Sequence, residues 1–107
     1  METKYEEVLY LLEECVKACN HCFDACLKEK DVRMMAGCIR LDRECAESCS
    51  YTIQVIARRS PFTSQNLRLS AEICEACAEE CGKHDHPHCQ KCAEACRKCA
   101  EACRRVA

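Results

Sequence analysis

Cysteine spacing constrains this chain more than any other feature. Fifteen of its 107 residues are Cys, and they recur at alternating intervals of three and four. One segment reads Cys89-Gln-Lys-Cys92-Ala-Glu-Ala, then Cys96-Arg-Lys-Cys99-Ala-Glu-Ala, then Cys103. That period places every thiol on one face of an α-helix, where the core-facing stripe of a bundle helix lies. At 100° per residue, Cys89, Cys92, Cys96, Cys99 and Cys103 fall within an arc of about 80°. Cys15, Cys19, Cys22 and Cys26 fall within about 60°, Cys38, Cys45 and Cys49 within about 40°, and Cys74, Cys77 and Cys81 within about 60°. Thiols stand where a bundle ordinarily places leucine.

The rest of the sequence favours helix. Gly and Pro number two each, and Ala, Glu, Lys, Arg and Leu fill the long stretches between breaks. The breaks fall at 28–31, 58–61 and 82–87. Asp31 is the expected N-cap of the second helix. Ser60 is the expected N-cap of the third, with Pro61 in its first position, while Gly82 should lie just past its end and Pro87 should open the fourth. The expected helices are 4–28, 32–58, 61–81 and 87–105. Short connections make sequential helices antiparallel neighbours, so the fold class is all-α, an antiparallel four-helix bundle with a Cys-lined core, spanning 1–107 as one domain. Ion pairs at i,i+4, Glu13/Lys17, Asp24/Lys28, Glu94/Lys98 and Glu101/Arg105, should decorate the outer faces.

The stripes change character along the bundle. At one end they continue as Val8, Leu11, Leu12, Ile53, Val55, Ile56 and Leu67, an apolar plug. At the other they meet Met34, Met35 and a loop carrying His84, His86 and His88. The inferred object is a thiol-lined tube, closed by hydrocarbon at the bottom and rich in soft and imidazole ligands at the mouth.

Composition narrows the chemistry. A net charge of −2 provides no basic field for nucleic acid or an anionic membrane. There is no run of 18 apolar residues, and the charged start, Met1-Glu2-Thr3-Lys4-Tyr5-Glu6-Glu7, lacks the zones of a secretory signal. The expected location is the cytoplasm, where thiols stay reduced. An odd cysteine count and few loop residues also oppose a disulfide scaffold. Reduced thiols at this density point to metal. Neighbours at i,i+4 have Cβ atoms about 5–6 Å apart, so Cys15/Cys19, Cys22/Cys26, Cys45/Cys49, Cys77/Cys81, Cys92/Cys96 and Cys99/Cys103 can each reach a shared ion. Cu(I) suits such pairs, being soft and content with few thiolate ligands. Two unshared thiols per ion give a capacity of roughly seven, and bridging thiolates could roughly double it.

Other readings stay open on the residues alone. Cys19-x2-Cys22-x3-Cys26, repeated at Cys74 and at Cys89, looks like part of a ferredoxin run, without its full spacing. A thiolate buffer for zinc or another heavy metal is a further alternative, and plain core packing by cysteine is the blandest. No phosphate loop, nucleophile elbow or isolated Cys/His pair suggests an enzyme. His84, His86 and His88 are candidates for copper capture, and Met34 and Met35 for thioether ligands. His21 reads as a surface residue. Asp42 occupies the place of a further Cys-x3-Cys partner after Cys38, and is expected to bond a histidine or a basic side chain.

The four-helix pattern with inward Cys-x3-Cys pairs resembles the bacterial four-helix-bundle copper storage proteins, from Cys15 to Cys103. The missing export signal is similar to the cytosolic branch of that family. The resemblance implies storage of many Cu(I) ions per chain on the fifteen cysteines and assembly into a homotetramer. Tyr5, Tyr10, Tyr51 and Phe62 would serve that interface or merely cover the bundle.

Overall fold

The computed structural model describes residues 3–107. A single 3₁₀ turn, Thr3–Tyr5, leads into α1, Glu6–Leu27. A second 3₁₀ turn, Val32–Met35, precedes α2, Ala36–Ala57. Then come α3, Thr63–Gly82, and α4, Pro87–Val106. Each helix packs against the next and α4 closes on α1, giving an antiparallel bundle 44 × 17 × 17 Å in extent. Among the described residues no strand forms.

The core is built as its period dictates. All fifteen cysteines are fully buried and free. Small alanines fill the flanks of the stripe: Ala46, Ala71, Ala78, Ala93, Ala100 and Ala102 are buried beside the thiols. They let the helices approach closely enough for sulfur atoms from all four to meet. Val8, Leu12, Val55, Ile56 and Leu67 are buried at the plug end, with Leu11 and Ile53 partly so. Burial of one such side chain contributes about 1.5–3 kcal/mol, and this end stabilises the bundle without any metal.

A hydroxyl cluster separates plug from thiols on the α2–α3 side. Ser70 Oγ lies 2.8 Å from Ser48 Oγ and 2.7 Å from Thr52 Oγ1. Thr52 and Ser70 are fully buried, so these bonds satisfy groups that would be costly to leave unpaired.

Several local expectations are corrected. Residues 32–35 form a 3₁₀ turn rather than the first turn of α2, and Asp31 makes no side-chain cap bond. The helix α3 starts at Thr63, two residues after the expected Pro61 start. The Ser60 hydroxyl accepts from the Phe62 N–H, and the Thr63 hydroxyl donates to the Ser60 carbonyl. Ser60 therefore caps a turn outside the helix, which Arg59 enters with φ of 54°. Gly82 is the last residue of α3, with Lys83 as C-cap. Of the expected ion pairs, Asp24/Lys28 and Glu94/Lys98 form. Lys17 instead takes Glu14, and Arg105 reaches across the bundle to Glu7. Tertiary proximity decides among equally spaced acids on an exposed face.

Candidate metal centre

The thiols form a continuous column rather than separate intrahelical pairs. The i,i+4 contacts Cys15/Cys19, Cys45/Cys49 and Cys92/Cys96 measure 4.0 Å, Cys77/Cys81 3.9 Å and Cys22/Cys26 3.7 Å. Contacts between helices are as short or shorter. Cys45 Sγ lies 3.5 Å from Cys74, and Cys49 3.6 Å from Cys74. Cys15 lies 3.7 Å from both Cys45 and Cys96. Cys38 and Cys81 approach to 2.8 Å. Alternation of three and four along each helix shows only the intrahelical half of this network.

Grouped by distance, the ligand atoms make overlapping sets whose members lie within 4.8 Å of one another. From the plug upward, five of these sets begin with Cys15, Cys49, Cys74, Cys99; then Cys15, Cys19, Cys45, Cys96; then Cys19, Cys77, Cys92, Cys96. Above them come Cys22, Asp42, Cys81, Cys92 and, at the mouth, Cys22, Cys26, Cys38, Cys89. Each set shares at least one sulfur with the next. Cys15, then Cys19 and Cys96, then Cys92, then Cys22 are the links. A soft ion can therefore pass down the column by exchanging one thiolate at a time.

Asp42 interrupts the sulfur. It is fully buried, and its Oδ1 accepts from Cys92 at 3.2 Å, Cys81 at 3.3 Å and Cys77 at 3.4 Å. Its Oδ2 faces Cys38 at 3.7 Å. The expected histidine or basic partner is replaced by thiols, because i,i+4 from Cys38 points directly into the bundle axis. Burial raises this carboxyl to about 9, so it carries a proton at neutral pH.

The thiols are tuned by burial and by one another. Burial pushes Cys26 up and Cys89 up to about 12, and charge at Cys38 adds to both. Cys38 moves the other way, to about 3, because hydrogen bonds with Cys22 and Cys81 favour its thiolate. Deeper down, contacts with Cys19 lower Cys15 and Cys92, while contacts with Cys15 raise Cys19 and Cys74. Thiol neighbours thus supply the hydrogen bonds that stabilise some thiolates in a dry interior.

The residues at the mouth divide. His88 turns inward: its Nδ1 lies 3.5 Å from Cys22 and from Cys89, and 3.9 Å from Cys26. Its Nε2 lies 2.9 Å from Glu29 Oε2. His86 stacks on His88 with centroids 5.3 Å apart and planes 5° apart. His84 faces α3, its Nε2 3.1 Å from Glu80 Oε2. Gly37 makes room for that carboxylate, since a Cβ there would stand 2.9 Å from it. Met35 is buried in the core, whereas Met34 is 68% exposed and stands outside it. His21 is exposed, as expected. Glu29 is not legible from spacing, since it lies in a polar turn with no periodicity, whereas the place of Asp42 four residues after Cys38 marks its inward register.

Comparison with known proteins agrees with this picture. The copper storage protein family, Csp, matches residues 1–107. The uncharacterized cysteine-rich protein YhjQ of Bacillus subtilis (strain 168) is 51% identical over 95 residues, 89% of this chain and 88% of that protein. The structure of Cu(I)-bound copper storage protein BsCsp3 superposes with a TM-score of 0.95 at 50% identity, covering 98% of this chain and 99% of that one. A cytosolic copper storage protein from Streptomyces lividans, solved with five coppers, gives 0.93 at 38% identity over 96% of this chain and 91% of its own.

Proposed function

The chain belongs to the copper storage protein family, and on that premise we propose that it stores several Cu(I) ions as thiolates along the bundle axis, in the cytosol. The observation that carries this reading is the shared-sulfur column from the Cys22, Cys26, Cys38, Cys89 set down to the Cys15, Cys49, Cys74, Cys99 set. A single structural or redox metal needs one closed site. A ladder of overlapping sets, each able to hand an ion to the next, has the form of a capacity. Soft thiolates select Cu(I), which also accepts the two or three sulfurs that these distances offer.

In this reading the fifteen cysteines are the ligands, and His88 completes the mouth group through Nδ1. His84, His86, Met34 and Met35 are the imidazole and thioether groups met on the way in. The ion trades weaker ligands for pairs of thiols, and each thiol engaged gives up its proton. The bundle binds its cargo and performs no chemical step on it. Closure of the lower end by Val8, Leu12, Val55, Ile56 and Leu67 makes filling one-ended.

The cytosolic location is supported by the Streptomyces lividans relative, a cytosolic copper storage protein. Among the described residues no helix is long and apolar enough to cross a membrane. The family resemblance carries the reading that four chains assemble, and Tyr10, Tyr51 and Leu69, each about half exposed or more, are apolar surface for such contacts. Sedimentation of the intact protein tests it, with a monomer the opposing result.

Anaerobic titration of the fully reduced protein with Cu(I), read by native mass spectrometry, tests storage. The expected result is progressive uptake to roughly seven ions or more. Saturation at one or two ions would remove the storage reading. Zinc that Cu(I) fails to displace, or acid-labile sulfide in the purified protein, would favour the alternatives.

A further inference from the structure

We propose that Glu29 is a positioning residue: by accepting a hydrogen bond from Nε2 of His88, it holds that ring in the tautomer whose bare Nδ1 faces the mouth thiols. This deepens the storage reading and rests on it for its purpose, though not for its geometry.

The distances leave one arrangement of protons for the neutral ring. A carboxylate only accepts, and Glu29 Oε2 is 2.9 Å from His88 Nε2, so Nε2 carries the ring proton. Nδ1 then has a free lone pair, directed at Cys22 and Cys89, 3.5 Å away, and at Cys26, 3.9 Å away. In the opposite tautomer the Nε2 lone pair would oppose the carboxylate, and an N–H would occupy the direction an arriving ion must take. A partner on the far nitrogen is the usual means of fixing which ring nitrogen is free to bind metal.

Both halves of the contact are held by backbone. Glu29 stands in the turn that ends α1, with its N–H bonded to the Cys26 carbonyl at 3.2 Å, so it is tied to the helix end that bears Cys22 and Cys26. His88 follows Pro87 at the start of α4, and its ring lies flat against that of His86. His86 Nδ1 is also 3.5 Å from the same Glu29 oxygen. His88 and Glu29 side chains are 12% and 27% exposed, so water competes little for their bond. Glu29 thus joins the last turn of α1 to the first turn of α4 across the opening of the column.

The test uses the full chain, copper-free and reduced, and the variants Glu29→Ala and Glu29→Gln. Nitrogen-15 NMR of the imidazoles reads the tautomer directly. In the unsubstituted protein with the ring neutral, Nε2 of His88 should have the protonated-type shift and Nδ1 the bare-type shift. Glu29→Ala should mix the tautomers, and Glu29→Gln should restore the first one, because its amide carbonyl still accepts from Nε2–H. Transfer of Cu(I) from a competing chelator should slow by about tenfold in Glu29→Ala and by less than about threefold in Glu29→Gln, with final capacity unchanged in both. A proton on Nδ1 in the unsubstituted protein overturns the proposal. So does a Glu29→Ala variant that keeps both the ring signature and the loading rate, or a Glu29→Gln variant that behaves as Glu29→Ala. Failure of the storage reading would show separately, as an unsubstituted protein that takes up only one or two ions, and the copper-free ring measurement would stand.

Discussion

Oδ1 of Asp42 accepts a hydrogen bond from Cys92 Sγ at 3.2 Å, in the middle of a column otherwise made of sulfur. Burial raises this carboxyl to about 9, against an unfolded value near 4. The sign of the stability effect follows. Below about pH 4 the group is protonated in both states and costs nothing. Between about 4 and 9 it is protonated only when folded, so the unfolded state gains by ionising and stability falls as pH rises. Asp42→Asn removes this titration and keeps the shape. The thermal midpoint of copper-free Asp42→Asn minus that of the unsubstituted protein should therefore grow from acid toward pH 9. A constant difference would mean that Asp42 is ionised in the fold.

Position within the column should decide what each cysteine contributes. Cys15 Sγ lies within 4.0 Å of Cys19, Cys45, Cys74 and Cys96 and belongs to at least two overlapping sets. Cys103 lies at the plug end, where Cys99 is the neighbour that acts on it most. Cys15→Ser should lower capacity by about two ions and Cys103→Ser by about one at most. Native mass spectra of the saturated variants distinguish this from equal losses, which would indicate independent pairs.

These relationships show what spacing could and could not reveal. A thiol every three or four residues dictates which face of a helix is buried, so the lining follows from the four cysteine stripes, and the breaks at 28–31, 58–61 and 82–87 divide the chain into four helices. The plug followed in the same way from Val8, Leu12 and Leu67. Periodicity says nothing about which helix supplies the nearest sulfur, and the 3.5 Å contact between Cys45 and Cys74 arises only once α2 and α3 are in register. The start of α3 departs from its sequence signal because a local side-chain bond closes a turn outside the helix at Ser60. Glu29 carries no signal in the sequence because a turn residue acquires its role from the distant segment it meets, here His88.

The plug and the column should be separable by mutation. Leu12 is fully buried in the core, one turn before Cys15 on α1. Leu12→Ala removes that contact and leaves a cavity, which costs about 2–5 kcal/mol. Chemical denaturation of the copper-free protein should show this loss, while saturated copper content stays at the unsubstituted value. A parallel fall in capacity would mean that the lower end also shapes the sites.

Loading should release protons and so depend on pH. Burial holds Cys89 up to about 12 and Cys26 also up, so both thiols are protonated at neutral pH and must lose that proton to bind Cu(I). A pH-stat should record acid release at the first ions added, because these two belong to the mouth set. Since protons compete with the ion, affinity should fall as pH is lowered from neutral toward 5 and recover on return. Cys38, held down to about 3 by Cys22 and Cys81, already offers a thiolate over that range. Cys38→Ser should therefore steepen the pH dependence of the first binding events, whereas Cys89→Ser should make it shallower. Chelator competition at several pH values measures both slopes, and equal slopes in the two variants would contradict this division between the mouth thiols.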